Sequence, residues 1–205
     1  KYNSSREYVD EVGSGAGSSD SQFNSPVSVE VGADGYVYVV DYSNHRIKKY
    51  TRELDYVRSF GSNGTGASQL KNPRGVAIDK DGTIYVADYT NYRIVKFNSE
   101  GEGEVFIGVT GIYGAGPDNL YTPYDVALDA LGRVYVVEKS YHRVKIYDSE
   151  GNYMTRVGGG STGTQLGAGS TELYNPESVA IDLRGRIIIS DYQYDRIKIY
   201  EYPTI

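Results

Sequence analysis

The sequence predicts an all-β protein, a β-propeller of four four-stranded antiparallel blades, on three observations. One motif recurs four times in register, most plainly as NPRGVAIDKDGTIYVADYTNYRIVKF from Asn72 to Phe97. All length variation lies between the copies: the prolines Pro26, Pro73, Pro123 and Pro176 are 47, 50 and 53 residues apart, as are the acids Asp41, Asp88, Glu138 and Asp191 and the arginines Arg46, Arg93, Arg143 and Arg196. Within each copy, short runs rich in β-branched and aromatic residues are separated by turn residues. A unit this short cannot bury its own apolar face, so the copies must stack and share a core.

The elements follow in order. In the second repeat Val76-Ala77-Ile78, Thr83 to Ala87 and Arg93 to Phe97 are three expected strands, separated by Asp81-Gly82 and by Asp88 to Asn91. A fourth, outer strand is expected at Tyr56 to Gly61, Glu104 to Gly108 and Tyr153 to Gly158, and four antiparallel strands make one blade. The repeats lie near 23–62, 70–108, 120–158 and 173–202, and the chain reads as one domain over 1–205. The last repeat stops after its third strand, Arg196 to Tyr200, whereas residues 8–13, with Tyr8, Val9 and Val12, match the outer-strand pattern. That strand is expected to complete the last blade. Within one chain it would close the ring and protect an exposed edge. Between chains it would make a head-to-tail contact that builds a ring or a filament.

The succession of proline, a VAID-like strand, G-x-[IV]-Y-V-[AV]-D, then N-x-R-[IV] and an aromatic resembles the NHL repeat, and the first copy carries the Asn44-His45 pair. The likeness extends over nearly all of residues 23 to 202. Departures are Glu138-Lys139 for Asp-Tyr, Tyr141 and Tyr194 for the asparagine, and Asp195 at the histidine position. The resemblance implies a β-propeller; separately, because the loops between outer and inner strands vary in length while the blade cores do not, binding specificity is expected on the face those loops form. The resemblance also touches the amidating lyases, related propellers with a histidine-bound zinc, and so raises a metal-dependent lyase or hydrolase as an alternative.

Composition narrows the classes. The 205 residues contain no cysteine, which excludes disulfides and thiolate metal sites. No apolar run approaches membrane-spanning length, so no membrane insertion is expected. The net charge of −6 and dispersed cations argue against nucleic acid, whose phosphates demand clustered Lys and Arg. The 22 tyrosines and 25 glycines fit an extracellular or cell-surface protein.

The chemically suggestive residues mostly have architectural readings. The recurring acid and arginine are expected to brace the turn between second and third strands, because they repeat with the fold. His45 and His142 occupy one repeat position, and two histidines a repeat or more apart fall short of the three or four ligands a zinc site wants. Asp79-Lys80-Asp81-Gly82 and Asp34-Gly35 suggest calcium loops, yet Ala130-Leu131-Gly132 and Leu183-Arg184-Gly185 keep only the glycine, which points to a hairpin turn. Gly158-Gly159-Gly160 lacks the Gly-Lys-Ser/Thr of a phosphate cradle. No catalytic residue, metal or cofactor is expected.

Tyrosine remains. Tyr50, Phe97, Tyr147 and Tyr200 end the third strands, and Tyr38, Tyr85 and Tyr135 lie on the second, regular positions that predict packing between blades. Tyr42, Tyr89 and Tyr192 instead follow the acid in turns, and Tyr113, Tyr121, Tyr124 and Tyr174 lie in or beside the inter-blade loops. Exposed tyrosines present large amphipathic surfaces at low entropic cost, so these seven are the candidate binding residues, equally able to pin their own loops. Sequons occur at Asn3 and Asn63. The expected function is a non-catalytic, extracellular protein-interaction or structural module, with a self-assembling subunit and a glycan- or small-ligand-binding propeller as alternatives.

Overall fold

A computed structural model describes residues 10–159 and 172–201. The first blade comprises β1 (Pro26–Val31), β2 (Val37–Asp41), β3 (Arg46–Tyr50) and β4 (Tyr56–Phe60); the second comprises β5 (Pro73–Ile78), β6 (Ile84–Asp88), β7 (Arg93–Phe97) and β8 (Gly103–Gly108). The third is β9 (Pro123–Leu128), β10 (Val134–Glu138), β11 (Arg143–Tyr147) and β12 (Tyr153–Gly158). In the fourth, β13 (Pro176–Ile181), β14 (Ile187–Asp191) and β15 (Arg196–Tyr200) form three strands. Each sheet runs in sequence order and is antiparallel, and the inner strands lie in the order β1, β5, β9, β13. The expected four-bladed propeller is the observed fold.

The acidic glycine turns join the first and second strands. Gly82, Gly132 and Gly185 have φ of +84°, +78° and +76°, a conformation glycine adopts without strain. The acid that opens each turn persists in three blades. Asp79 Oδ1 accepts the amides of Asp81 and Thr83, both at 2.9 Å, and Asp129 and Asp182 do the same for their own turns. The sequence comparison by glycine neighbours overlooked these acids. They stay because an aspartate two residues before a turn amide stabilises the turn, and Gly32 replaces them only in the first blade.

Period two along each central strand divides the core among the blades. Ile84 and Val86 of β6 pack toward the first blade with Tyr38, Val40 and Leu70, whereas Tyr85 and Ala87 pack toward the third with Leu120, Val126 and Tyr147. Tyr135 and Val137 repeat the pattern toward the fourth blade. The predicted inter-blade aromatics Tyr38, Tyr85, Phe97, Tyr135, Tyr147 and Tyr200 lie in or against these three cores. Tyr50 is fully buried, but against Phe23 and Tyr56, because residues 14–23 cover that side of the first blade.

Among the described residues, the first and last blades carry exposed apolar side chains. On β1, Val27, Val29 and Val31 are 46%, 62% and 60% exposed, and on β15, Ile197 and Ile199 are 64% and 54% exposed. The repeat equivalents of Ile197 and Ile199, Val144 and Ile146, are packed in the core shared with the next blade and are 0% and 1% exposed. Of the expected completing strand, Tyr8 and Val9 lie outside the described residues. Asp10 to Gly13, Val12 included, run without regular structure, so the fourth blade has three strands among the described residues.

Because each core is shared by two blades, emptying one should loosen both. Leu120→Ala removes a fully buried side chain from the second core, and is expected to cost about 3 kcal/mol by cavity formation, read as a lowered denaturant midpoint.

Candidate binding face

Strand order puts two kinds of connection at one end of every blade: the turn between second and third strands and the loop that leads to the next inner strand. The turns are single 3-10 turns at Tyr42–Asn44, Tyr89–Asn91, Lys139–Tyr141 and Tyr192–Tyr194, each ending on a left-handed residue, His45, Tyr92, His142 or Asp195. These connections make one face, and a buried polar latch fixes it. In the second blade Arg93 Nε donates to Asp88 Oδ2 at 2.8 Å, while Asp88 Oδ1 accepts the Lys71 amide at 2.7 Å from the inter-blade loop. The Arg93 guanidinium then reaches the carbonyls of Thr65, Gly66 and Gln69 in that loop. Burial pushes the Asp88 carboxyl up from its ordinary range, an effect opposed by its hydrogen bonds to Lys71, Asn91 and Arg93.

The latch recurs as Asp41 with Arg46, Glu138 with Arg143 and Asp191 with Arg196, each acid also taking a loop amide, from Asn24, Tyr121 or Tyr174. The acid and arginine therefore do more than brace a turn: they hold the long loops down. Sequence reasoning missed their helper, the third-strand lysine. Lys145 Nζ donates to the carbonyls of Gly116 and Asn119, the repeat equivalents of Gly66 and Gln69, and Lys48 caps Ser19, Asp20 and Gln22 likewise. In the second blade Val95 takes the lysine position, and Arg93 binds those carbonyls itself. Burial lowers the Lys145 ammonium to about 8. The recurrence of a lysine at Lys48, Lys145 and Lys198 was the available signal.

The histidines also serve the frame. His45 Nδ1 accepts the Asn72 amide and His142 Nδ1 the Asn175 amide, both at 3.0 Å, just before the following blade's proline. Among the described residues no group of three or more His, Asp and Glu is placed to hold a metal ion.

The candidate tyrosines fall into three groups on this face. Tyr42, Tyr89, Tyr124 and Tyr192 surround the axial mouth, where Arg74 Cζ lies 5.1, 5.0 and 4.2 Å from the centres of Tyr42, Tyr89 and Tyr124, and Lys139 Nζ lies 4.5 and 5.4 Å from those of Tyr124 and Tyr192. Lys139 is ion-paired with Glu177. A cavity of about 370 Å³ opens here, lined by Val27, Ser28, Arg74, Gly75, Tyr124, Asp125, Glu177 and Ser178. The second group is a row in which Tyr113 and Tyr121, 4.9 Å apart, contact Tyr92, and Tyr121 continues to Tyr141. In the third, Tyr174 packs on His142 and Tyr194. Arg74, Tyr92, Tyr141 and Tyr194 were not anticipated. Asn63 is exposed in an inter-blade loop, and Asn3 lies outside the described residues.

Asp125 sits on the floor of the cavity, where its carboxyl accepts Ser178 Oγ at 2.7 Å and the amides of Val179 and Val126. Burial raises its affinity for a proton against these bonds. Glu30, farther along the axis, is raised by burial and then by the Asp125 charge. Gly75 permits this approach of blades: a Cβ there would lie 2.6 Å from the Asp125 Cα.

A family model, NHL repeat, matches residues 23–50 and 70–97. The chain carries NHL repeats. Its expected NHL-propeller character thus rests on the matched repeats and on the observed blades. No curated protein matches the sequence. Among solved structures, an auxiliary nutrient binding protein from Bacteroides thetaiotaomicron superposes with a TM-score of 0.68 at 13% identity, over 90% of this chain and 50% of that one. A virginiamycin B lyase from Staphylococcus aureus gives 0.60 at 12%, over 87% and 56%. A nidogen/laminin complex gives 0.62 at 15%, over 87% and 61%. At these identities the likeness is one of fold, and this chain spans between half and about three fifths of those chains.

The latch is the testable core of this face. Arg93→Gln leaves Asp88 buried without its cation and is expected to cost about 3–5 kcal/mol. The Asp88 carboxyl, already raised, should rise further. A carboxyl that holds its proton more tightly when folded favours folding at low pH, so the variant's unfolding free energy should fall as pH climbs above about 4, measured by denaturant titration across pH.

Proposed function

We propose that this NHL propeller is a non-catalytic recognition module, acting at the cell surface or outside the cell, whose ligands dock on the tyrosine-bearing face. The observation that carries the proposal is that the tyrosines singled out by sequence lie on the connections at one end of the blades, with Tyr124 lining an axial cavity and Tyr42, Tyr89 and Tyr192 beside its mouth cations Arg74 and Lys139. Rings held by a rigid frame bury large areas on binding without further ordering cost. The recurrent ionisable groups support the non-catalytic side of the proposal, since acids, arginines, lysines and histidines of the repeat are bonded to the backbone of the loops. Propellers of the same fold include a nutrient-binding protein and the nidogen/laminin pair, so binding is a use this architecture supports. The same fold in a virginiamycin B lyase makes turnover the outcome to test against.

A glycan array probed with the intact protein is the experiment. Binding is expected to survive EDTA and to fall at least tenfold in Tyr113→Ala/Tyr121→Ala, with the folded spectrum retained. Binding indifferent both to that double substitution and to Tyr124→Ala, or EDTA-sensitive consumption of a bound glycan, would count against the proposal.

A second reading, a self-assembling subunit joined head to tail, is favoured by the exposed apolar side chains of β1 and β15 among the described residues, of which Ile197 and Ile199 have buried repeat equivalents in Val144 and Ile146. On that reading Val29→Glu or Ile197→Lys should reduce a larger native particle to the mass of one chain in light scattering, and a wild-type particle already of that mass excludes it.

A further inference from the structure

Of the two cations at the axial mouth, Lys139 is paired with Glu177, whereas Arg74 forms no hydrogen bond or ion pair among the described residues. Its Nε is buried without a partner. The rings of Tyr42, Tyr89 and Tyr124 surround the guanidinium and stabilise its charge, but a ring face accepts no strong hydrogen bond, so five N–H donors remain to be used. The buried Nε is costly unless something pairs with it, and the terminal amines, which are not buried, belong to a side chain that lines the cavity. The repeat does not demand it either, since the equivalent positions hold Val27, Tyr124 and Glu177. Arg74 is therefore specific to this cavity.

The ligand's chemistry can be read from the rest of the lining. A planar guanidinium fork matches a carboxylate with two parallel hydrogen bonds. Below it the floor carries hydroxyl-recognising groups: Ser28, whose side chain has no hydrogen-bond partner among the described residues, and Asp125, three of whose roughly four acceptor sites are taken by Ser178 Oγ and the amides of Val179 and Val126. Asp125, Glu177 and the deeper Glu30 would repel a second negative charge. A phosphate or a dicarboxylate is thereby disfavoured, and so is a ligand whose anionic end points inward. We propose that the axial mouth binds a sugar acid, its single carboxylate forked on Arg74, its ring against Tyr124 and its hydroxyls turned toward Ser28 and Asp125. The cavity, about 370 Å³, is large enough for one such sugar unit.

This inference rests on the recognition reading of the same face, and the test separates the two. Methyl β-D-glucuronoside and methyl β-D-glucoside differ only in the carboxylate and are compared, with acetate as a third probe, by ligand-observed NMR titration. The glucuronoside is expected to bind at least tenfold more tightly than either of the others, Arg74→Gln to bring it to the level of the glucoside, and Tyr124→Ala to weaken both sugars. Equal binding of the two glycosides, acetate binding as well as glucuronoside, or full affinity in a folded Arg74→Gln would overturn the site. Should Arg74→Gln not fold, the wild-type comparison of the three probes decides. Following the glucuronoside signals for a day distinguishes the failures: consumption of the bound sugar overturns the non-catalytic reading and leaves the site standing, whereas no binding removes the site and leaves recognition by the outer tyrosine row untouched.

Discussion

Everything on the binding face depends on one buried interaction, the carboxylate at the end of each second strand. It accepts a guanidinium from the third strand on one oxygen and a backbone amide from the inter-blade loop on the other. A buried pair of charges is costly by itself, and its desolvation is offset only when the remaining donors and acceptors are satisfied. Here the satisfaction comes from the loop. Arg93 and Lys145 each bind loop carbonyls that would otherwise face an apolar core. The latch therefore folds a loop as the condition of its own stability, which explains why loops of different length end in the same geometry before every proline.

From that frame the irregular residues acquire a role. The position after each acid holds Tyr42, Tyr89, Lys139 and Tyr192, and the position after each proline holds Val27, Arg74, Tyr124 and Glu177. Being one per blade, the two sets converge around the axis and alternate there, so that Arg74 of the second blade meets tyrosines of the first, second and third. None of these side chains hydrogen-bonds to the latch among the described residues, and the latch acids are fully buried. The architecture thus separates the residues of the latch from the residues that vary between blades, and the mouth is where the varying ones meet.

The repeat was legible because period two and the proline, acid and arginine spacing are local signals. So was the packing of Tyr38, Tyr85 and Tyr135, which the alternation alone places between blades. The candidate tyrosines were legible as irregular residues, but their grouping was not. Tyr42 and Tyr124 lie more than eighty residues apart in sequence, and only the convergence of inner strands brings both to Arg74. Arg74 itself follows a proline in a strand and carries no motif. Its lack of a partner is a property of three-dimensional surroundings, which no spacing encodes. The acids of the hairpin turns were misjudged because alignment on the glycine drew the comparison to its immediate neighbours, one residue away from Asp129 and Asp182 and their turn bonds.

The latch, and not the apolar core alone, holds the loops of this face. Amide hydrogen exchange at Lys71 and Tyr121, whose N–H groups point at Asp88 and Glu138, tests it most directly. The account predicts that both amides exchange only through global unfolding, as slowly as those of β6 and β10. Rapid exchange at Lys71 and Tyr121, with the strands still protected, would contradict it.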